Sequence, residues 1–199
     1  MKIYYLNTNN LTAKQIEQMY LNAEAYRKIR YDNTQDKVAK IECIASDALI
    51  KYGTKNYISD QNIIPKTDYL ESGKLVFTNI PLYLCITHTH GHAFLAIHDK
   101  NVGIDAELIR NISYTQLHNR FFFNINPHPQ NGIDFFKEWT ATEACFKLEN
   151  KKNLMLNYEY TTPVNSFCYK QFVISVASSD PEIDLTNQCI ISEIIPEDL

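Results

Sequence analysis

The sequence predicts one α+β domain, on three observations. Segments with apolar residues at helical spacing alternate with segments that read as strands, in a helix-then-strands order repeated roughly twice, and no linker separates the repeats. The chain has 199 residues, 45% of them hydrophobic, which is enough to bury a real core. Its 13 tyrosines and 10 phenylalanines against 5 glycines favour a well-packed interior with modest loops over a repeat array or a low-complexity chain.

Taken in order, Met1 to Asn7 alternates as an edge strand, and Thr12 to about Arg30 reads as a helix opened by a cap-competent threonine. A second helix is expected from about Thr34 to Tyr52, where Val38, Ile41, Ile44, Ala45 and Leu49 recur at helical spacing and Gly53 follows as a stop. The turn pair Ser72-Gly73 introduces a strand at Leu75 to Phe77. Leu82 to Ile86 is a further strand, leading into Thr87-His88-Thr89-His90-Gly91-His92. His92 to His98 and Val102 to Glu107 continue as strands on either side of the polar turn Asp99-Lys100-Asn101. After a mixed connection from Asn124 to Gly132, Phe135 to about Lys152 is the clearest helix, and Ser166 to Ala177 and Gln188 to Ile195 return to strands.

A net charge of -4 argues against a general nucleic-acid binder. Two local basic groups remain, Arg27 with Lys28 and Arg30, and Lys147 with Lys151 and Lys152, and each can equally be a solvated helix face. The cysteines, Cys43, Cys85, Cys145, Cys168 and Cys189, are odd in number and scattered without a C-x-x-C pair, as expected of reduced thiols in a cytoplasmic protein. The start, MKIYYLNTNN, turns polar after a few residues, and no apolar run approaches the roughly 18 residues of a membrane span, so neither secretion signal nor anchor is expected.

If Thr87 to His92 is extended, His88, His90 and His92 project from one face and can converge on a metal. Metallohydrolases carry a similar H-x-H-x-D-H run, but here the third histidine comes one residue early and the aspartate is missing. Gly91 also favours a bulge or turn that would separate the three rings. Without other groups nearby they read as ordinary strand or loop residues.

Further along, Gly103-Ile104-Asp105-Ala106-Glu107 sets two carboxylates two apart on a strand, facing one way. Such a pair repels itself unless a divalent cation intervenes, and Mg²⁺ binds through carboxylates, waters and substrate phosphates. The alternative is a solvated strand end. On the helix from Phe135, a wheel at roughly 100° per residue gathers Phe135, Phe136, Trp139 and Phe146 on one arc, with Glu143 inside it and Lys147 at its margin. A carboxylate among aromatics needs a cation. Lys147 alone can supply it as a structural ion pair, and a metal shared with Asp105 and Glu107 does so better.

Together, ITHT (Ile86 to Thr89), VGIDAE (Val102 to Glu107) and WTATEACFK (Trp139 to Lys147) resemble the motifs of the 4′-phosphopantetheinyl transferases of the surfactin-synthetase-activating type, whose patterns are close to I-S-H-S, V-G-I-D-x-E and W-x-x-K-E-A-x-x-K. Order and approximate spacing match. The resemblance implies one transferase unit over residues 1–199 made of two similar α+β halves, approximately 1–100 and 101–199, related by a pseudo-twofold axis. It implies a cytoplasmic monomer that moves the phosphopantetheine arm of coenzyme A to a serine of an apo acyl or peptidyl carrier protein, releasing adenosine 3′,5′-bisphosphate. Asp105, Glu107 and Glu143 then resemble the ligands of Mg²⁺ or Mn²⁺, with Glu143 also the candidate base. Lys147 resembles the pyrophosphate contact. Thr87 and His88 match the residues that meet coenzyme A phosphates, Gly73 and Lys74 resemble the G-K at the nucleotide, and Lys40 and Arg27 resemble further basic contacts, Arg27 the weaker match.

There are departures. Thr142 stands where the family has a lysine, Leu75 where a proline follows G-K, and His90 at a variable position, while Asn124 to Gly132 differs in a connection that often contacts the carrier. A non-catalytic relative that binds coenzyme A or a carrier, and a His-cluster metallohydrolase, are the competing expectations.

Overall fold

The computed structural model describes residues 1–58, 62–125, 127–151, 157–180 and 189–195. The fold is of the mixed α+β class, and its strand pairing joins the two ends of the chain. Strand β1 (Lys2–Asn7) lies between β5 (His92–His98), to which it is antiparallel, and β9 (Ile190–Ile194), to which it is parallel. With β4 (Tyr83–Thr89) outside β5, the first sheet has the order β4-β5-β1-β9. A second sheet, β6-β8-β7, is built from β6 (Val102–Leu108), β7 (Val164–Tyr169) and β8 (Phe172–Ser178), all antiparallel. The pairing β1 to β5 to β4 has the same pattern as β6 to β8 to β7, each first strand pairing with the last and the last with the one before it. A small hairpin of β2 (Thr67–Tyr69) and β3 (Leu75–Phe77) stands apart.

Alternation along the strands sorts the core into layers. Tyr4, Leu6, Leu84, Leu95 and Ile97 face Ile44, Leu49 and Ile50 of the long helix α3, which, after α1 (Ala13–Asn22) and α2 (Ala25–Asn33), spans Lys37–Tyr57. Ile3, Tyr5, Phe94 and Ala96 face the other way, onto Ile104, Phe172, Ile174 and Val176 of the second sheet. The far side of that sheet is covered by α5 (Gly132–Glu149), through Ala144, Cys145 and Leu148, and by α4 (Tyr114–Phe121) beside it. The layers run helix, sheet, sheet, helix.

Several expectations are corrected here. Met1 to Asn7 is not an edge strand, because β9 returns to cover its free side. The expected helix from Thr12 is two: Thr12 does cap α1, reciprocally with Gln15, but Ala23 is extended and the Glu24 amide donates to the buried Asp47 carboxylate (3.3 Å), which redirects the chain. Gly53 does not end α3; a side chain there would lie 2.9 Å from Tyr4 and Leu95, so glycine admits the sheet rather than stopping the helix. Ser166 to Ala177 is a hairpin, turned at Lys170 with φ 53°. Strands β4, β5 and β6 and helix α5 lie where expected to within three residues, although Lys152 and Gln188 fall outside the described residues. Among the described residues no cysteine is in a disulfide and no helix is long and apolar enough to cross a membrane.

Candidate active site

The edge strands β4 and β6 lie alongside one another where the two sheets meet. On β4 successive side chains point to opposite sides, so the Thr-His-Thr run divides its roles. Thr87 and Thr89 face β6 and each meets a carboxylate: Thr87 Oγ1 donates to Asp105 Oδ1 (2.7 Å) and Thr89 Oγ1 to Glu107 Oε2 (3.3 Å). Two hydroxyls two residues apart therefore match two acids two residues apart. Lys147, one turn beyond Glu143 on α5, reaches the same place, with Nζ 2.7 Å from Asp105 Oδ1 and 3.0 Å from Thr87 Oγ1. Burial works against its charge, but Asp105, Cys85 and Glu143 together outweigh it, so the ammonium's pKa is raised.

Helix α5 comes this close to β6 because of Gly103. A side chain there would put Cβ 1.9 Å from the Ala144 carbonyl oxygen. The helix face pressed on the sheet is Thr140 and Ala144, with Thr140 Oγ1 2.6 Å from Ser175 Oγ, rather than the aromatic arc expected from the wheel. Phe135, Phe136 and Trp139 pack with Phe122 at the α4 end, and Phe146 stands on Tyr158 at 4.8 Å. Glu143 is left half-buried at the rim of the buried face. Burial raises its pKa first, and Asp105 and Glu107 add to the rise while Lys147 opposes it. The three predicted acids thus act on one another, while Asp105 is paired with Lys147 and Glu107 with Arg110 (3.0 Å). Among the described residues no three His, Cys, Asp or Glu side chains form a group that could hold a metal. A carboxylate whose proton affinity is raised by burial and by two neighbouring acids fits a hard cation shared with them, provided Lys147 and Arg110 release those acids.

A cleft of about 340 Å³ opens beside these groups, lined by Arg27 and Arg30 of α2, Gly73 and Lys74, His88, Glu143 and Lys147 of α5, and Lys151 just past its end. Arg27 and Arg30 of one basic group and Lys147 and Lys151 of the other thus meet in one concavity, which with Lys74 has five cations to one carboxylate. That imbalance selects anions although the whole chain is acidic. Arg27 is only 2% exposed, its guanidinium lies 5.1 Å from the Tyr26 ring and 5.8 Å from that of Tyr69, and its Nη2 has no hydrogen-bond partner. A buried unpaired donor of that kind favours an anion as its missing partner. Lys74 lines the cleft, but its ammonium is taken up by Asn101 Oδ1 (2.6 Å) and the Leu148 carbonyl (3.1 Å), and burial lowers its pKa. Lys40 does not line the cleft; its Nζ sits 4.4 Å over the Tyr31 ring. Thr142 is buried, bonded to the Glu138 carbonyl (2.9 Å), on a side of α5 that does not line the cleft.

The three histidines diverge. His90 and Gly91 have φ 51° and 77° and form a two-residue hairpin turn, where glycine is required because Cβ at Gly91 would be 2.3 Å from Asn9. His92 stacks in the core on Tyr5, whose hydroxyl is 2.9 Å from its Nδ1. His88 faces α3, with Nε2 2.6 Å from Ser46 Oγ. The Ser46 hydroxyl donates to the Glu42 carbonyl (2.6 Å), so His88 Nε2–H donates to Ser46 and Nδ1 keeps the lone pair. Burial, then Lys147, Arg27 and Arg30, push the His88 pKa down to about 3. An anion in the cleft would offset the cationic part of that depression and leave the part due to burial. A depressed histidine pKa stabilises the fold above the unfolded value of 6.5 and loses that contribution as pH falls toward about 3. His88→Gln, which keeps the Ser46 contact, is therefore expected to lose less stability than the parent in urea titrations taken above and below pH 6.5; equal losses would refute it.

Sequence reasoning missed Thr89 and Ser46 as partners of the site, and Arg110. The threonine spacing against GIDAE was a usable signal; Ser46 offered none. No protein-family model matches the chain, and no curated protein sequence matches it.

Proposed function

We propose that the chain is a 4′-phosphopantetheinyl transferase, acting on coenzyme A and an apo acyl or peptidyl carrier protein of fatty-acid, polyketide or peptide synthesis. The observation that carries this reading is the anion-selective cleft of Arg27, Arg30, His88, Lys147 and Lys151, in which Lys147 is paired with Asp105 and Glu143 feels the charge of Asp105 and Glu107. The repeated strand pairing supports two halves, near 1–100 and 101–199, related by a pseudo-twofold, with β9 crossing from the second half into the first sheet.

In this reading Arg27, Arg30, Lys147 and Lys151, with His88 beside them, hold the phosphates of coenzyme A, and the orphan Nη2 of Arg27 takes a phosphate oxygen. Asp105, Glu107 and Glu143 would hold Mg²⁺ or Mn²⁺, which supplies charge neutralisation at the pyrophosphate. Lys147 then turns from Asp105 to the phosphates. Glu143, its proton affinity raised by burial and two neighbouring acids, is suited to take the serine proton. A second cleft of about 220 Å³, lined by Glu107, Arg110, Phe135, Phe136 and Trp139, opens on the Glu107 side and can admit the acceptor. The protein works as a cytoplasmic monomer.

Incubation with coenzyme A, Mg²⁺ and apo carrier proteins from several pathways should raise the carrier mass by one phosphopantetheine. No gain on any carrier would overturn the transferase reading. The existing pairs Lys147 to Asp105 and Arg110 to Glu107 favour one competitor, a relative that binds coenzyme A or a carrier with its acids neutralised by lysine and arginine. Binding of coenzyme A with no mass gain would support that instead.

A further inference from the structure

Away from both clefts, α4, α5 and the segment between them bring together His118, Glu138 and His128. His118 is 1% exposed. Its Nδ1 lies 3.0 Å from Nδ1 of the exposed His128, and its Nε2, which has no hydrogen-bond partner, lies 3.4 Å from Glu138 Oε2. Burial pushes the Glu138 carboxyl up to about 7, and burial and then His128 lower the His118 pKa. Two imidazole nitrogens at this distance need something between them. A proton on one Nδ1 is one solution, and a metal is the other.

We propose that His118 and His128 form a two-histidine site for a borderline divalent transition metal such as Zn²⁺, with Glu138 as its positioning residue. Imidazole nitrogen suits Zn²⁺, Cu²⁺ and Ni²⁺ over the hard cations. Two nitrogens bound to tetrahedral zinc at about 2.05 Å stand roughly 3.3 Å apart, so the observed 3.0 Å needs an opening of only a few tenths of an ångström. Glu138 sits at the far nitrogen of His118, the arrangement in which a carboxylate fixes the tautomer of a metal-bound histidine and leaves the other nitrogen's lone pair for the metal. Binding keeps each ring neutral, with its proton on Nε2, and releases whatever proton Glu138 holds. Because no third His, Cys, Asp or Glu side chain joins them among the described residues, water completes the coordination. His128 is exposed and gives the ion its entry. The site cross-links the segment that ends in Asn131, the N-cap of α5, to α4, and so holds the start of the helix that carries Glu143.

The test is calorimetric titration of the whole metal-free protein with Zn²⁺ alone. One equivalent is expected to bind, at least about tenfold more weakly in His128→Ala, whose side chain is exposed, and about tenfold more weakly in Glu138→Gln. His90→Ala should leave the titration unchanged. An isotherm indifferent to His128→Ala, or one lost in His90→Ala, would overturn the assignment. Neither outcome bears on coenzyme A, so this proposal and the transferase reading fail separately.

Discussion

Asp105→Ala and Glu143→Gln should both abolish phosphopantetheine transfer, by about 100-fold or more, while moving stability in opposite directions. Asp105 is buried and takes both the Lys147 ammonium and the Thr87 hydroxyl. Alanine leaves the Lys147 ammonium with the Thr87 hydroxyl and the Ile104 carbonyl but without its counter-charge, and the Thr87 hydroxyl without its acceptor, a loss on the order of 2–4 kcal/mol. Glu143 has the reverse energetics. Its folded pKa is raised, so its contribution to stability is present in acid and is lost as pH rises through that value; above it, the ionised side chain costs folding free energy. Glutamine removes that cost, and Glu143→Gln should equal or exceed the parent in urea midpoint at alkaline pH, the gain fading in acid. Transfer rates and urea midpoints on the same preparations decide this. Near-normal rates for both variants at low Mg²⁺ would mean that the acids are misassigned. Lost transfer with stability falling in both would mean instead that Glu143 is structural.

The elements bearing the site were legible because each has a local cause. Apolar runs bounded by Gly91 and by the polar turn Asp99-Lys100-Asn101 set β4 to β6, and a long helical run with few breakers set α5. Gly91 announced the turn that separates the histidines. What escaped was set by distant partners. Nothing near Ala23 ends a helix; the Asp47 carboxylate, from another helix, does so by holding the Glu24 amide. Lys170 turns β7 into β8 in a left-handed conformation that lysine seldom adopts, so the alternation reads straight through it. The site divides the same way. That Asp105 and Glu107 would bear on Glu143 was implied by the resemblance of the three motifs together, and both acids raise the Glu143 pKa. That Thr87 and Thr89 would match Asp105 and Glu107 required knowing that β4 and β6 run side by side without belonging to one sheet. That Lys40 would stack on Tyr31 and leave the cleft to Arg30 depended on the redirection at Ala23.

The largest structural effect is expected at Gly103, which touches no ligand in any reading. Cβ at this position meets the Ala144 carbonyl oxygen at 1.9 Å and the Leu148 amide nitrogen at 2.9 Å, and both are backbone atoms that cannot rotate away. Relief requires α5 to lift from β6, which opens the layer of Ala144, Cys145, Leu148 and Ala177. Overpacking a core commonly costs about 1–3 kcal/mol, and with helix backbone as the obstacle Gly103→Ala should cost at least about 3 kcal/mol, with valine leaving little folded protein. Gly132, at the first position of the same helix, has no heavy atom within 4 Å of the place a Cβ would take, and is the control: Gly132→Ala should be neutral or gain up to about 1 kcal/mol. Urea midpoints of the two alanine variants read the difference. A Gly103→Ala cost below about 1 kcal/mol would show that α5 has room to move. The pairing of Lys147 with Asp105 would then owe less to a fixed spacing between helix and strand than the contact at Ala144 requires, since β6 supplies two of the three acids and α5 supplies the third together with that lysine.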